Sequence, residues 1–356
     1  MKNNKSIIFW VFLFVTILGV FLVTSVCATE KPIILKYGEF EIPTDLAGKL
    51  AIILQEEIAK KTDGRVNLKI YWAGSLLKGE EILRGVEEGV VDMGNINQNY
   101  YPNQLPLSQV FNVIPRGPSS YKSQMMIYEK VMEQVPEWKD EFLAHNQLSL
   151  LRFTKSDRAI ASVKPIKSLE DFKNQKMRSS SRWILAMIGA GGATPVSVPW
   201  PDCYMALQTG TIDAMLCNFD SLLASKLVEP AKNILLCEGL WAESPFHITI
   251  NLDTWNKLPE DIQSQIMEAL DSTTASYSKL LTNLWDTCIE EAEKMGCVIN
   301  KMPTEDMEKW LSSPVVEEIG ALWIKEGEDK GMENASKILE KIKSIVAEVV
   351  EKGEMN

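Results

Sequence analysis

The sequence predicts a two-lobed α/β protein, and three observations carry that prediction. A chain of 356 residues is too long for one ordinary core and suits two lobes. Its opening alternates strand-like and helix-like stretches as βαβαβ, the pattern of a largely parallel sheet. A helix–glycine–strand pattern with a following aspartate, Leu83 to Met93, returns as Met205 to Met215, as two lobes of shared architecture would have it.

A different segment precedes the first strand. Lys2 and Lys5 are followed by an apolar run from Ile7 to Val23 and then by Thr24-Ser25-Val26-Cys27-Ala28. A basic start, an apolar stretch, and Val26 and Ala28 fitting the minus-three, minus-one rule of a cleavage site read as a signal peptide over 1–28, cleaved after Ala28. The run is long enough to serve instead as a membrane anchor. Lipid attachment at Cys27 fits less well, because Val26 is bulky where a lipobox takes a small residue. No second long apolar run follows.

The elements follow in order. Ile33 to Gly38 reads as a strand. A helix begins at Thr44 or Asp45, both good N-caps, and places Leu46, Leu50, Ile53, Leu54 and Ile58 on one face before Asp63-Gly64 ends it. Arg65 to Trp72 alternates as a strand should. A helix with Ile82, Leu83 and Val86 stops at Gly89, and 90–94 reads as the next strand. Further on, 148–153 and 158–163 are strand-like, and Ser168 to Asp171 has a capping-box pattern. Lys176 to Arg178 reads as a short strand, and Trp183 to Ile188 as a helix ended by Gly189, Gly191 and Gly192. Pro195 to Val198 reads as a strand and Asp202 to Thr209 as a helix. From Glu260 to Met295 there is no Gly or Pro, and the helical period persists. One helix of that length would span roughly 54 Å at 1.5 Å per residue, enough to bridge two lobes. Two amphipathic helices, about 305–326 and 332–352, complete the expected fold.

Charge excludes some partners. The chain has 37 Lys+Arg against 48 Asp+Glu, a net charge of -11. Residues 1–28 hold two of the lysines and no acid, so the remainder is more acidic still. Nucleic acid and membrane surfaces are poor partners for it. Cys203, Cys217, Cys237, Cys288 and Cys297 are odd in number and irregular in spacing, which is not a disulfide framework. Buried thiols are the simpler reading, with one bridge allowed in an oxidising compartment.

The stretch Val198-Pro199-Trp200-Pro201-Asp202-Cys203-Tyr204-Met205-Ala206-Leu207-Gln208-Thr209-Gly210-Thr211-Ile212-Asp213 resembles the signature region of solute-binding proteins of tripartite ATP-independent periplasmic (TRAP) transporters, the DctP family. Lys61 to Val66, Glu88 to Gly94 and Asn251 to Pro259 resemble other segments of that family, in the same order. The resemblance spans nearly all of the chain after the leader. It implies a type II-like periplasmic binding fold with hinge strands, a long lobe-spanning helix and bracing C-terminal helices. One lobe is then expected over 31–155 plus about 244–284, the other over 156–243 plus about 285–356. It also implies a periplasmic, non-enzymatic monomer that takes a small organic acid to membrane permease subunits, with no cofactor and no metal.

The same resemblance places the site. Arg178 occupies the position of the family's principal carboxylate-binding arginine, although Ser180 stands where the family usually has proline. Planar, bidentate and permanently charged, arginine suits a carboxylate in a dry cleft. Arg158 aligns with a second arginine of some members, and a surface ion pair near the hinge is its other reading. Asn218 matches an asparagine that bonds the carboxylate or holds Arg178. Leu216, Cys217 and Phe219 around it are more apolar than the family pattern. Trp200 matches an aromatic beside the ligand. Glu39, Phe40, Trp72, Asn97 and Tyr100 lie at expected strand ends or loops of the first lobe, where ligands of open α/β sheets bind.

Two rival readings remain on sequence. An enzyme would need a nucleophile, a base and an orienting group, yet there is no Gly-x-Ser-x-Gly elbow. His145 and His247 lack metal-ligand spacing. A ligand sensor feeding a membrane receptor would have the same sequence features, and the neighbouring genes would separate it from a transport protein.

Overall fold

The computed structural model describes residues 31–354; the leader expected over 1–28 lies outside them. β1 (Ile33–Gly38), α1 (Leu46–Lys61), β2 (Val66–Tyr71), α2 (Ile82–Glu87) and β3 (Met93–Ile96) form the βαβαβ opening. Asp45 caps α1, its Oδ1 accepting from the Ala47 N–H at 3.0 Å. Leu46, Leu50, Leu54 and Ile58 are buried. β3 begins later than the apolar pattern suggests. The N–H groups of Val90 and Val91 are spent closing α2, both donating to the Gly85 carbonyl.

The sequence reading assigns nothing between Asn97 and Asn146. That stretch holds α3 (Tyr121–Gln134), capped by Ser120, and α4 (Pro136–Leu143), which opens on proline. β4 (Gln147–Phe153) follows. The chain then crosses into a second sheet with β5 (Arg158–Ser162), β6 (Lys176–Arg178), α5 (Arg182–Ala190) and β7 (Thr194–Val196). α6 (Cys203–Gln208), β8 (Ala214–Asn218), α7 (Phe219–Ala224) and β9 (Asn233–Leu236) complete that passage. It returns as β10 (Phe246–Asn251), α8 (Leu252–Lys257) and α9 (Glu260–Leu280). The tail is α10 (Leu284–Lys294), β11 (Val298–Lys301), α11 (Thr304–Leu311), α12 (Pro314–Asp329) and α13 (Ala335–Glu354).

The strands make two sheets, ordered β2-β1-β3-β10-β4 and β11-β9-β5-β8-β6-β7. Neither is as parallel as the opening suggests. β10 is antiparallel to both β3 and β4, and β5 is antiparallel to β8 and β9. Both reversals come from strands that begin or end a crossing between the sheets.

The repeated sequence pattern has one structural meaning in both sheets. Gly89 and Gly210 each take φ +73, a left-handed turn that suits glycine. Three residues later an aspartate locks the neighbouring strand. Asp92 Oδ2 accepts from the Lys36 N–H at 2.8 Å, and Asp213 Oδ2 accepts from the Lys176 N–H at 2.9 Å. The aspartates' own N–H groups donate back to the carbonyls of the same two lysines. Thus β1 with β3, and β6 with β8, are aligned by the same device.

Two helix expectations need correction. The stretch 260–295 is two helices, because the turn at 281–283 ends the first and Asn283 has φ +61. α9 packs on α1 beside the first sheet, and α10 packs on α7 and β11 of the second. The stretch 305–326 is also divided, between α11 and α12, where Ser312-Ser313 precedes Pro314. The tail braces both halves. Glu348 of α13 pairs with Lys130 of α3, and Glu326 of α12 pairs with Arg182 of α5. No helix among the described residues is long and apolar enough to cross a membrane. All five cysteines among them are free thiols, four of them buried.

Candidate functional site

β6 and β8 run parallel, so their carboxyl ends lie on one edge of the second sheet. Arg178 ends β6, Asn218 ends β8, and the antiparallel β5 starts there with Arg158, in register with Asn218. The residues that follow β1 and β3 bring Glu41, Asn97 and Tyr100 to the opposite wall. Between the walls lies a partly open cavity of about 30 Å³, room for no more than a few waters.

Arg178 is 2 % exposed. Its Nε donates to the Val198 carbonyl at 3.0 Å, and its guanidinium carbon lies 5.7 Å from the centre of the Trp200 ring. Among the described residues neither Nη group has a hydrogen-bond partner. Both Nη groups are thus free to take a guest at the cavity, and a carboxylate matches their planar geometry.

Arg158 lines the same cavity but is already engaged. It donates to the carbonyls of Trp241 (3.3 Å) and Ala242 (3.0 Å) and pairs with Glu243 at 2.8 Å. Asn218 Nδ2 donates to the Ser156 carbonyl at 2.7 Å and to Glu243 at 3.3 Å. It does not hold Arg178, and its Oδ1 is unspent among the described residues. Burial raises the Glu243 carboxyl, and Arg158 and Asn218 oppose that rise.

Trp200, Asn97 and Tyr100 line the cavity. Phe40 stands behind, edge-on to Tyr100 with ring centres 5.7 Å apart. Gly79 permits that packing, since a Cβ there would come within 2.7 Å of the Tyr100 ring. Glu39 and Trp72 are not among the lining residues. Glu39 is fully buried and accepts from the Glu41 N–H (2.9 Å) and Asn95 Nδ2 (3.0 Å). Burial pushes its carboxyl up to about 7, against those hydrogen bonds. Trp72 is half-buried just after β2.

Sequence reasoning missed a charged cluster on the cavity wall. Lys155, in the crossing between β4 and β5, pairs with Asp45 at 2.7 Å and Glu41 at 2.9 Å and donates to Ser221 Oγ at 3.1 Å. Ser221 in turn donates to Asp45 at 3.1 Å. Asp220 accepts from the N–H and hydroxyl of Ser156. Phe246 and Cys217 supply apolar surface. The only signal in the sequence was the polar run Thr154 to Asp157 between two apolar strands. Nothing local assigns partners to it.

Comparison with known proteins gives a consistent result. Residues 37–320 match the profile of the bacterial extracellular solute-binding protein family 7, DctP. The ectoine-binding periplasmic protein TeaA of Halomonas elongata is 24% identical over 262 residues, 73% of this chain and 74% of that protein. The C4-dicarboxylate-binding periplasmic protein DctP of Rhodobacter capsulatus is 23% identical over 304 residues, 84% and 90% of the two chains. A TRAP solute-binding protein of Rhodoferax ferrireducens, solved with copurified benzoate, superposes with a TM-score of 0.80 at 19% identity, over 90% of this chain and 99% of that one.

Proposed function

Because the chain belongs to the bacterial extracellular solute-binding protein family 7, whose members are transport proteins and not enzymes, we propose that it captures a small organic carboxylate in its interlobe cleft and delivers it to TRAP membrane subunits. The observation that carries this reading is Arg178, buried at the cavity wall with both Nη groups unspent. The carboxylate takes that fork, Asn218 offers its remaining amide oxygen, and Trp200 packs beside the guest. Trp200, Cys217 and Phe246 favour an acid with a hydrophobic or aromatic part.

A cavity of about 30 Å³ is smaller than any such acid, so the lobes separate to admit it and close over it. Binding energy gained only in the closed state drives that closure. The hinge lies where the chain crosses between sheets, near 154–157, 237–245 and 281–283. A leader over 1–28 sends the chain across the membrane.

Native mass spectrometry of the purified protein, followed by a thermal-shift screen of organic acids, tests the reading, since a ligand specific to the native state raises its stability. At least one carboxylate should stabilise the wild type and fail to stabilise Arg178→Ala. Equal stabilisation of both proteins would remove Arg178 from the site.

A further inference from the structure

One charged cluster at the cleft wall holds more acid than base. Glu41 and Lys155 line the cavity, from the segment after β1 and from the crossing between β4 and β5, with Asp45, and Asp220 of α7, joined to them behind. Lys155 Nζ is 2.9 Å from Glu41 and 2.7 Å from Asp45. Ser221 Oγ links Asp45 (3.1 Å) to Asp220 (3.4 Å). None of the four charged residues is more than 6 % exposed. Three carboxylates about one ammonium, with water excluded, cannot all stay ionised. Arg178 and the Arg158–Glu243 pair stand elsewhere on the cavity lining, while Tyr100 and the buried Glu39 complete the groups around Glu41.

The hydrogen bonds say where a proton belongs. Both Asp45 oxygens are engaged, by Ala47 N–H and Lys155 on one side and by Ser221 on the other. Asp220 Oδ1 takes two donors from Ser156, and its Oδ2 stands 3.4 Å from the one Ser221 hydroxyl that Asp45 also takes. Glu41 Oε1 takes Lys155, but Glu41 Oε2 is buried with no partner. An unpartnered buried oxygen costs far more on an anion than on a neutral acid.

We propose that Glu41 enters the closed cleft as a neutral carboxylic acid, so that closure over an anionic guest takes up one proton. This rests on the reading of the cleft as a carboxylate site. Burial is the main cause that raises the Glu41 carboxyl to about 8, with Asp45 adding to it and Lys155 opposing. When the lobes part, Glu41 is hydrated, so the group returns toward its ordinary acidic range. The sign follows. Between the open and closed values the closed state holds a proton that the open state lacks, so affinity for the guest falls as pH rises.

The test is titration calorimetry with benzoate, pyroglutamate and succinate, in phosphate and in Tris, at pH 6, 7 and 8. Wild type should take up close to one proton per guest, and its affinity should fall by up to about tenfold per pH unit. Glu41→Gln, a neutral isostere, should bind with no proton uptake and a flat pH profile. Infrared difference spectra of wild type against Glu41→Gln at pH 7 should gain a protonated-carboxyl band when guest binds. Binding without proton uptake, or uptake retained in Glu41→Gln, overturns the proposal. So does absence of that band with every probe. If no acid binds while the band is present, the carboxylate reading fails and the neutral Glu41 stands.

Discussion

Arg158 and Arg178 have the same side chain, stand at one edge of the sheet on the two strands that flank β8 and line one cavity, yet their hydrogen bonds give them different tasks. Arg158 is spent on two carbonyls and Glu243, so it builds the wall. Arg178 spends only Nε, so it faces the guest. Replacing Arg178 by Ala should weaken acid binding at least about tenfold, roughly 1.4 kcal/mol, by calorimetry. Arg178→Lys should bind nearly as poorly, because one ammonium cannot reproduce the fork; a dissociation constant like that of wild type would remove the bidentate contact. The sequence made both arginines candidates through family likeness and put Arg178 first, but it could not say what engages Arg158. The difference lies in carbonyls from residues 198, 241 and 242, whose approach is tertiary. Glu41 and Lys155 went unread for the same reason. A lone charged residue beside an apolar strand looks like a solvated flank until its partners are known.

Elements were legible where one local rule set them. α1 has its cap, its apolar face and its glycine stop in the sequence, and its limits follow. The strands β9, β10 and β11 have no such punctuation, and their pairing depends on crossings that no local pattern encodes. The long stretch 260–295 misled because its apolar period continues through the break, while the break is made by Asn283 in a left-handed turn. Asparagine tolerates that conformation and a β-branched residue does not, the general cost being about 1–2 kcal/mol. Asn283→Val should therefore lower the denaturation midpoint, and Asn283→Gly should retain it. If both variants match wild type, the turn is not a fixed feature. The aspartate locks offer a second test. Burial would raise the Asp213 carboxyl, but the Lys176 N–H and Lys164 hold it below the ordinary range. Its contribution is therefore present above the unfolded value and lost as pH falls through the folded one. Asp213→Asn should lower Tm at neutral pH, and the gap to wild type should close below about pH 4.

At the scale of the molecule, two sheets joined by three crossings need something that ties them without fixing them. Lys155 is placed for this. It sits within the first crossing, and its ammonium contacts Glu41 and Asp45 of one half and Ser221 of the other. Its side chain is 1 % exposed, against 5 % and 0 % for the two acids, so the charges are compensated by each other and not by water. Removing one partner of such a buried pair typically costs about 3–5 kcal/mol, because the remaining charges lose compensation. Lys155→Met should thus destabilise the protein by an amount of that order in chemical denaturation. The loss is electrostatic if it can be relieved from the other side. Asp45→Asn keeps the cap of α1, since asparagine caps as well as aspartate, and removes one stranded charge. The double variant Lys155→Met, Asp45→Asn should recover part of the loss, giving a coupling energy of about 0.5–3 kcal/mol in a double-mutant cycle. Strict additivity would mean that Lys155 matters only as a packed chain against Phe246, whose ring centre is 5.0 Å from its ammonium. The tie between the halves would then have to be sought in the tail helices that brace both.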